Sequence, residues 1–273
     1  MGFVVDAESS NAKPDYPPRL FEIGKAPIQT HSMNYNSYLN KFGIMKDGVG
    51  EDVMNDLKDS SVGVFVKMAC ESYLFSAKLD HHFLSNQLAT PKPHELWALV
   101  ADEPIRFSLH EFSEITCMNC GPIGDEDKWD IDHTVFWEEL GVGSSSGPSW
   151  NELCNVLEIC ATWSYEKRRM VGLLCVLAIA VFGIQNESRI PLASAKRVLD
   201  LEAFERYPWG RVACDSLVTG VKVLTYDKNS YHVKGFVQAL HIWAFESVVG
   251  FGEHFGRRKD GVDNVVPLLR WDG

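Results

Sequence analysis

The sequence predicts a mainly α, multi-helix globular domain packed around one buried central helix, with a small β-hairpin as a minor α+β component. Three observations carry that expectation. Residues 170–184, MVGLLCVLAIAVFGI, hold no charge and no proline and lie between Lys167-Arg168-Arg169 and Gln185-Asn186-Glu187. A helix apolar on all sides is buried on all sides, and this one falls short of the about 20 apolar residues that a bilayer demands. The segments around it carry apolar residues at helical spacing. With 45% apolar and 23% charged residues in a chain of 273, including eight Trp and fifteen Phe, there is enough material for a sizeable core.

The elements follow in order. Residues 1–45 show no period, and Pro14, Pro17, Pro18 and Pro27 rule out long helices. They read as an irregular or disordered N-terminal leader ahead of a single helix-rich domain over residues 46–273. Residues 50–60 suit a short amphipathic helix carrying Val53, Met54 and Leu57. Residues 80–88 place Phe83, Leu84 and Leu88 on one helical face, stopped by Pro91 and Pro93. Residues 94–101 alternate loosely, Ala101-Asp102-Glu103 turns, and residues 105–107 return, which is a hairpin pattern. Ser108 with Glu111 is a capping-box pair that starts a helix towards Thr116. Residues 121–133 form an acidic loop, residues 136–140 one helical turn, and residues 141–149, GVGSSSGPS, an internal linker.

Ser149 and Glu152 form a second capping box. Behind it Trp150, Leu153, Cys154, Leu157, Cys160 and Ala161 lie on one helical face. After the buried helix come a helix through Ala195 and Val198, a helical stretch over 201–206, and a helix opened by Pro208 with Trp209, Val212, Ala213, Leu217, Val221 and Leu224 inward. Residues 227–230 turn. Residues 235–249 form the last strong helix, with Phe236, Leu240, Trp243, Ala244 and Val248 inward and His241 on its polar face.

Charge narrows the function classes. The net charge of −11 opposes nonspecific coating of nucleic acid, which rests on Lys and Arg neutralising phosphates. The distribution is uneven: residues 1–150 carry 11 basic and 23 acidic side chains, a net −12, and residues 151–273 carry 15 and 14, a net +1. Two basic runs, residues 167–169 and Arg257-Arg258-Lys259, read as solvated surface clusters. The second is the candidate nucleic-acid contact. Seven cysteines, an odd number, suit reduced thiols in the nucleus or cytoplasm. No secretory signal pattern opens the chain, and no membrane partner is expected.

The chemistry-bearing patterns are thin. Cys117 and Cys120 make a C-x₂-C pair, half of a zinc site, without a second pair or a His-x₃₋₅-His at matching spacing. Asn119-Cys120-Gly121 superficially resembles the nucleophile of a SUMO-type cysteine protease, but the interval from His94 to Cys120 is short for a protease core. Clustered carboxylates at Asp125, Glu126, Asp127, Asp130 and Asp132 match no ordered calcium loop. No Gly-rich phosphate loop follows a strand. The expectation is therefore no catalytic residue, no metal site and no cofactor.

Several phrases together resemble one family. They are residues 81–88, HHFLSNQL; 94–97, HELW; 104–109, PIRFSL; 200–204, DLEAF, with 207–211, YPWGR; and 235–240, GFVQAL, with Trp243-Ala244. Over residues 60–272 the chain is similar to the plant domain of unknown function nineteen eighty-five. It departs at Cys117-Met118, where that family reads Gly-Leu, which makes the C-x₂-C pair partly a peculiarity of this chain. The resemblance implies a setting in Mutator-like transposon genes beside a SUMO-protease-like domain absent from this sequence, and no catalytic residues to map. The expected function is a non-catalytic protein-interaction module that accompanies such a domain, its partner otherwise unknown. The alternative is a DNA-associated accessory domain of a mobile element working through Arg257, Arg258 and Lys259.

Overall fold

The computed structural model describes residues 16–26, 32–71, 73–124, 130–143, 145–224, 230–262 and 265–272. In chain order the elements are Ser32–Tyr35 (β1), Lys41–Val49 (α1), Glu51–Leu57 (α2), Gly63–Ala69 (α3), Ala77–Ser85 (α4), Leu96–Val100 (β2), Glu103–Phe107 (β3), Leu109–Thr116 (α5), Thr134–Leu140 (α6), Trp150–Leu157 (α7) and Tyr165–Val176 (α8). They continue with Leu192–Ala195 (α9), Leu201–Arg206 (α10), Trp209–Lys222 (α11), Ser230–Val233 (β4), Val237–Ser247 (α12) and Val249–Phe255 (α13). The fold is mainly α with minor β. Among the described residues no helix is long and apolar enough to cross a membrane.

The apolar run forms the centre. From Val171 to Val181 no side chain is more than 1% exposed. α8 passes into a wider π-helical turn at Leu177–Val181, where Phe182 N–H reaches back to Leu177 C=O at 2.9 Å. α1, α2 and α7 pack on α8, and α11 packs on the wider turn. The basic run just before it is anchored: Arg168 donates to both carboxylate oxygens of Asp52 at 2.8 and 2.6 Å, Arg169 to Asp56 and Glu205, and Lys167 to Glu139. These pairs fix α8 against α2, α6 and α10, so residues 167–169 do not form an unpaired basic patch.

A second all-buried helix runs beside it. In α12 every residue from Val237 to Phe245 is buried. The expected single helix over 235–249 is interrupted at Val248, whose extended backbone (φ −125°, ψ 97°) separates α12 from α13.

The hairpin stands as expected. β2 and β3 pair antiparallel from Leu96↔Phe107 to Val100↔Glu103. Ala101 (φ 49°) and Asp102 (φ 66°) form the two-residue left-handed turn that matches strand twist. Bridges at Gln87↔Ala98 and Arg19↔Leu88 widen the sheet. Pro104 sits on the outer strand, a position where a lost N–H costs least.

Three expectations need correction. The leader is not irregular through residue 45: β1 pairs parallel with β4, Ser32↔Ser230 through Tyr35↔Val233, and α1 begins at Lys41. Residues 1–15 and 27–31 lie outside the described residues. Residues 141–149 are not a free linker, because Val142 is buried and Gly147 N–H bonds Ile190 C=O at 3.1 Å. The α7 face ends at Leu157; Cys160 is buried in a separate short turn and Ala161 is exposed.

Both capped starts occur. Ser149 Oγ accepts from Glu152 N–H at 3.3 Å while Ser149 N–H donates to Glu152 Oε2 at 2.8 Å, a complete capping box. At α5 the geometry is looser: Ser108 Oγ accepts from His110 N–H and donates to Glu111 Oε2.

Candidate functional site

Residues 257–259 and 270–272 lie side by side in a C-terminal strap. Lys259 N–H donates to Arg270 C=O at 2.8 Å, and Asp272 N–H to Arg257 C=O at 2.9 Å. The strap absorbs part of the expected basic cluster. The Lys259 ammonium contacts the Glu71 carboxylate, stands 3.6 Å from Asp272 and donates to Leu269 C=O at 2.9 Å. Arg258 lines a 420 Å³ depression with Trp271 and Glu246. Arg257 projects, its side chain 83% exposed, and its guanidinium stands 3.8 Å from the Asp272 carboxylate. Arg257 and Lys259 thus share the Asp272 carboxylate, while Arg258 faces the depression.

The two cysteines of the C-x₂-C pair sit in different surroundings. Cys117 caps α5 in the left-handed region (φ 54°) and is exposed. Cys120 is half-buried, and its sulfur faces α11, where a Cβ built on Gly210 would lie 2.6 Å from it. Among the described residues no group of three His, Cys, Asp or Glu side chains could hold a metal ion. Asp125, Glu126 and Asp127 lie outside the described residues, while Asp130 pairs with Lys196. Burial pushes the thiols of Cys120, Cys154, Cys160, Cys175 and Cys214 upward, opposite to the shift that activates a cysteine nucleophile. His94, the one upstream histidine with a protease-like placement, instead bonds Asp215 of α11 at 3.0 Å on the surface.

Periodicity did not reveal the most unusual polar group. His241, expected on a polar helix face, is fully buried; its Nδ1 stands 2.8 Å from Oδ2 of Asp80, itself 1% exposed. The reason is that α12 has no polar face along this stretch. Its two polar residues are matched inside the core, Gln238 by Ser37 (Ser37 Oγ to Oε1 at 2.9 Å, Gln238 Nε2 to Ser37 C=O at 2.7 Å) and His241 by Asp80. The rings of Tyr73, Phe75 and Phe245 surround the imidazole at 6.1, 5.1 and 4.7 Å. Burial raises the Asp80 carboxyl above its ordinary range, and the facing His241 opposes that shift. His81 meets the Tyr231 hydroxyl at 3.3 Å. A carboxylate on one imidazole nitrogen is the arrangement that orients a catalytic base. Here aromatic rings enclose it, and Asp80 and His241 are both buried.

The surface offers a different feature. A groove of 510 Å³ runs between the small sheet and the C-terminal end of α11. Leu88, Leu96 and Val221 are buried in its lining, and Leu20 and Val223 stand exposed at and beside it. Its polar groups are held in place: Glu95 accepts from the Trp97 indole at 2.7 Å and from Lys92 at 3.3 Å, and Lys222 donates to Lys92 C=O. Burial lowers the Lys222 ammonium from its ordinary value.

Compared with known families, residues 84–220 match the model described as Domain of unknown function (DUF1985). The chain belongs to this family. The DUF1985 stretch is narrower than residues 60–272. It runs from Leu84, in α4, to Gly220, in α11, and takes in the hairpin, α5–α10 and the central helix. Gln87 through Trp97 of the groove lie within it, whereas Asp80, His241 and residues 257–259 lie outside. No curated protein and no solved structure matches the chain.

Proposed function

We propose that this DUF1985 chain is a non-catalytic protein-interaction module of a plant, transposon-derived gene, which holds a SUMO-protease-like domain near its targets in the nucleus or cytoplasm. The groove carries this reading. An open apolar channel with a fixed polar rim is the form of a recognition surface, and eight of its thirteen lining residues come from the family-matched stretch. The upward-shifted thiols and the enclosed His241 support a non-catalytic role. The partnership with a SUMO-protease-like domain rests on the family resemblance.

The test is binding of the purified chain to a SUMO-protease-like domain by calorimetry. Leu20→Glu with Val223→Glu should weaken binding at least about tenfold, a loss of about 1.4 kcal/mol, with an unchanged circular dichroism spectrum. Peptide or isopeptide hydrolysis by the purified chain, abolished by Cys120→Ser, would refute the non-catalytic reading.

The alternative, a DNA-associated accessory domain, draws on the projecting Arg257. It requires duplex binding that weakens steeply with salt and disappears when Arg257, Arg258 and Lys259 become Ala. Lys259 is already committed to carboxylates, which makes this the weaker reading.

A further inference from the structure

The lining of the groove between the small sheet and α11 holds two charged side chains, Glu95 and Lys222. The carboxylate is already satisfied. Its Oε2 accepts from the Trp97 indole at 2.7 Å and its Oε1 from the Lys92 ammonium at 3.3 Å, and the side chain is only 17% exposed. Lys222 is exposed and donates to the Lys92 carbonyl, a neutral acceptor. An ammonium carries three N–H donors, so this bond leaves donors over. Among the described residues no carboxylate pairs with Lys222. Asp215, about two turns earlier on the same face of α11, meets His94 at 3.0 Å instead. The groove mouth therefore sets two ammonium groups, Lys92 and Lys222, around one occupied carboxylate. It is locally positive on a chain whose net charge is −11.

The floor is different in kind. Leu88, Leu96 and Val221 are buried there, and Leu20 and Val223 are 49% and 59% exposed at and beside the edge. A channel of 510 Å³ has the size of a site for a small ligand or a short segment, about 300–1,000 Å³. The pattern selects for two features in the occupant, a large apolar side chain and an acid close to it. A basic segment would bring like charge to Lys92 and Lys222 and find no free carboxylate. A wholly apolar segment would cover the Lys222 ammonium without giving it a partner. Burial already lowers that ammonium from its ordinary value, so a carboxylate there meets a charge that is partly dehydrated and weakly screened.

We infer that this groove takes a short acidic peptide segment of the partner, with a large aliphatic or aromatic side chain on the Leu88–Leu96–Val221 floor and an Asp or Glu carboxylate on the Lys222 ammonium. The inference rests on the groove being the binding surface proposed above and adds the chemistry of the segment it receives. The overall negative charge of the chain does not attract such a segment from a distance. The Lys222 contact acts at close range, where it fixes register and rejects basic competitors.

Random dodecapeptides displayed on phage, selected on the full chain and counter-selected on the Leu20→Glu, Val223→Glu variant, test this. The surviving peptides should carry Asp or Glu next to a large apolar side chain. One of them, synthesised with a fluorescent label, should lose at least about tenfold in affinity for the Lys222→Gln variant. A glutamine in place of the peptide's own acid should cost as much against the unmodified chain, and the two losses should not add. If circular dichroism shows that Lys222→Gln disturbs the fold, the substitution in the peptide decides alone. Groove-dependent peptides that lack an acid, or that bind equally well without it, would overturn this inference and leave the groove as a binding surface. The absence of any groove-dependent peptide would overturn both.

Discussion

Gly183 and Gly235 lie backbone against backbone. A Cβ built on Gly183 would stand 2.4 Å from the Gly235 nitrogen, and both residues have positive φ, 51° and 80°. Gly235 N–H donates to Phe182 C=O at 3.2 Å, so this contact joins the end of the central helix to the approach to α12. Gly183→Ala places a methyl group where backbone already stands and forces a left-handed conformation on an L-residue. It should cost more than about 2 kcal/mol in urea unfolding. Gly43→Ala is the control. It lies inside α1 with nothing near its Cβ position, and it should stabilise by about 0.5–1 kcal/mol.

The central helix should tolerate truncation poorly. Ile179 is fully buried in the wider turn. Ile179→Ala removes packed methyl groups and leaves a cavity, with an expected loss of about 2–5 kcal/mol in chemical denaturation. Val135→Ala, on the exposed face of α6, should stay within about 0.5 kcal/mol of the unmodified chain.

Removing one partner of the Asp80–His241 pair should do more damage than removing both. Asp80→Leu or His241→Phe alone strands a polar or charged group in the core and should cost about 3–5 kcal/mol. The double substitution should cost clearly less than the sum of the two. A double-mutant cycle by urea unfolding measures the coupling, and strict additivity would mean that the pair does not act as a unit.

Acid should loosen the clamp between α2 and α8. The Arg168 guanidinium holds the Asp52 carboxyl down at about 2, below its ordinary 3.8. A carboxyl lowered by folding contributes stability above its unfolded value, and that contribution is lost as pH falls through the folded one. The urea midpoint should therefore drop between pH 3.8 and about 2. Asp52→Asn should flatten that part of the profile, and an identical profile in the variant would contradict the assignment.

Much of the helical architecture was legible because it is local. The charge-free run 170–184 could be stable only in a core, and the capping pair Ser149–Glu152 marked the start of α7 to the residue. The hairpin was equally readable, since a turn and two short strands lie within one stretch of sequence. The strand Ser32–Tyr35 was not. Its partner is Ser230–Val233, and a parallel pairing between such distant segments leaves no periodic trace in either.

Composition and spacing alone determined a helix-rich fold around an apolar centre, and the quoted phrases placed the chain in its family. Only the tertiary structure decided which polar residues are buried and what they meet. His241 looked like a polar-face residue because helical periodicity records one helix at a time. It is buried because α4, lying 161 positions away at Asp80, presents a carboxylate there. The same holds for residues 257–259: three adjacent cations read as one patch, yet Lys259 is neutralised by Glu71 and Asp272, brought in by the folding of the strap. Charge in a sequence is a sum, whereas its availability depends on which opposite charges folding places within a few ångströms.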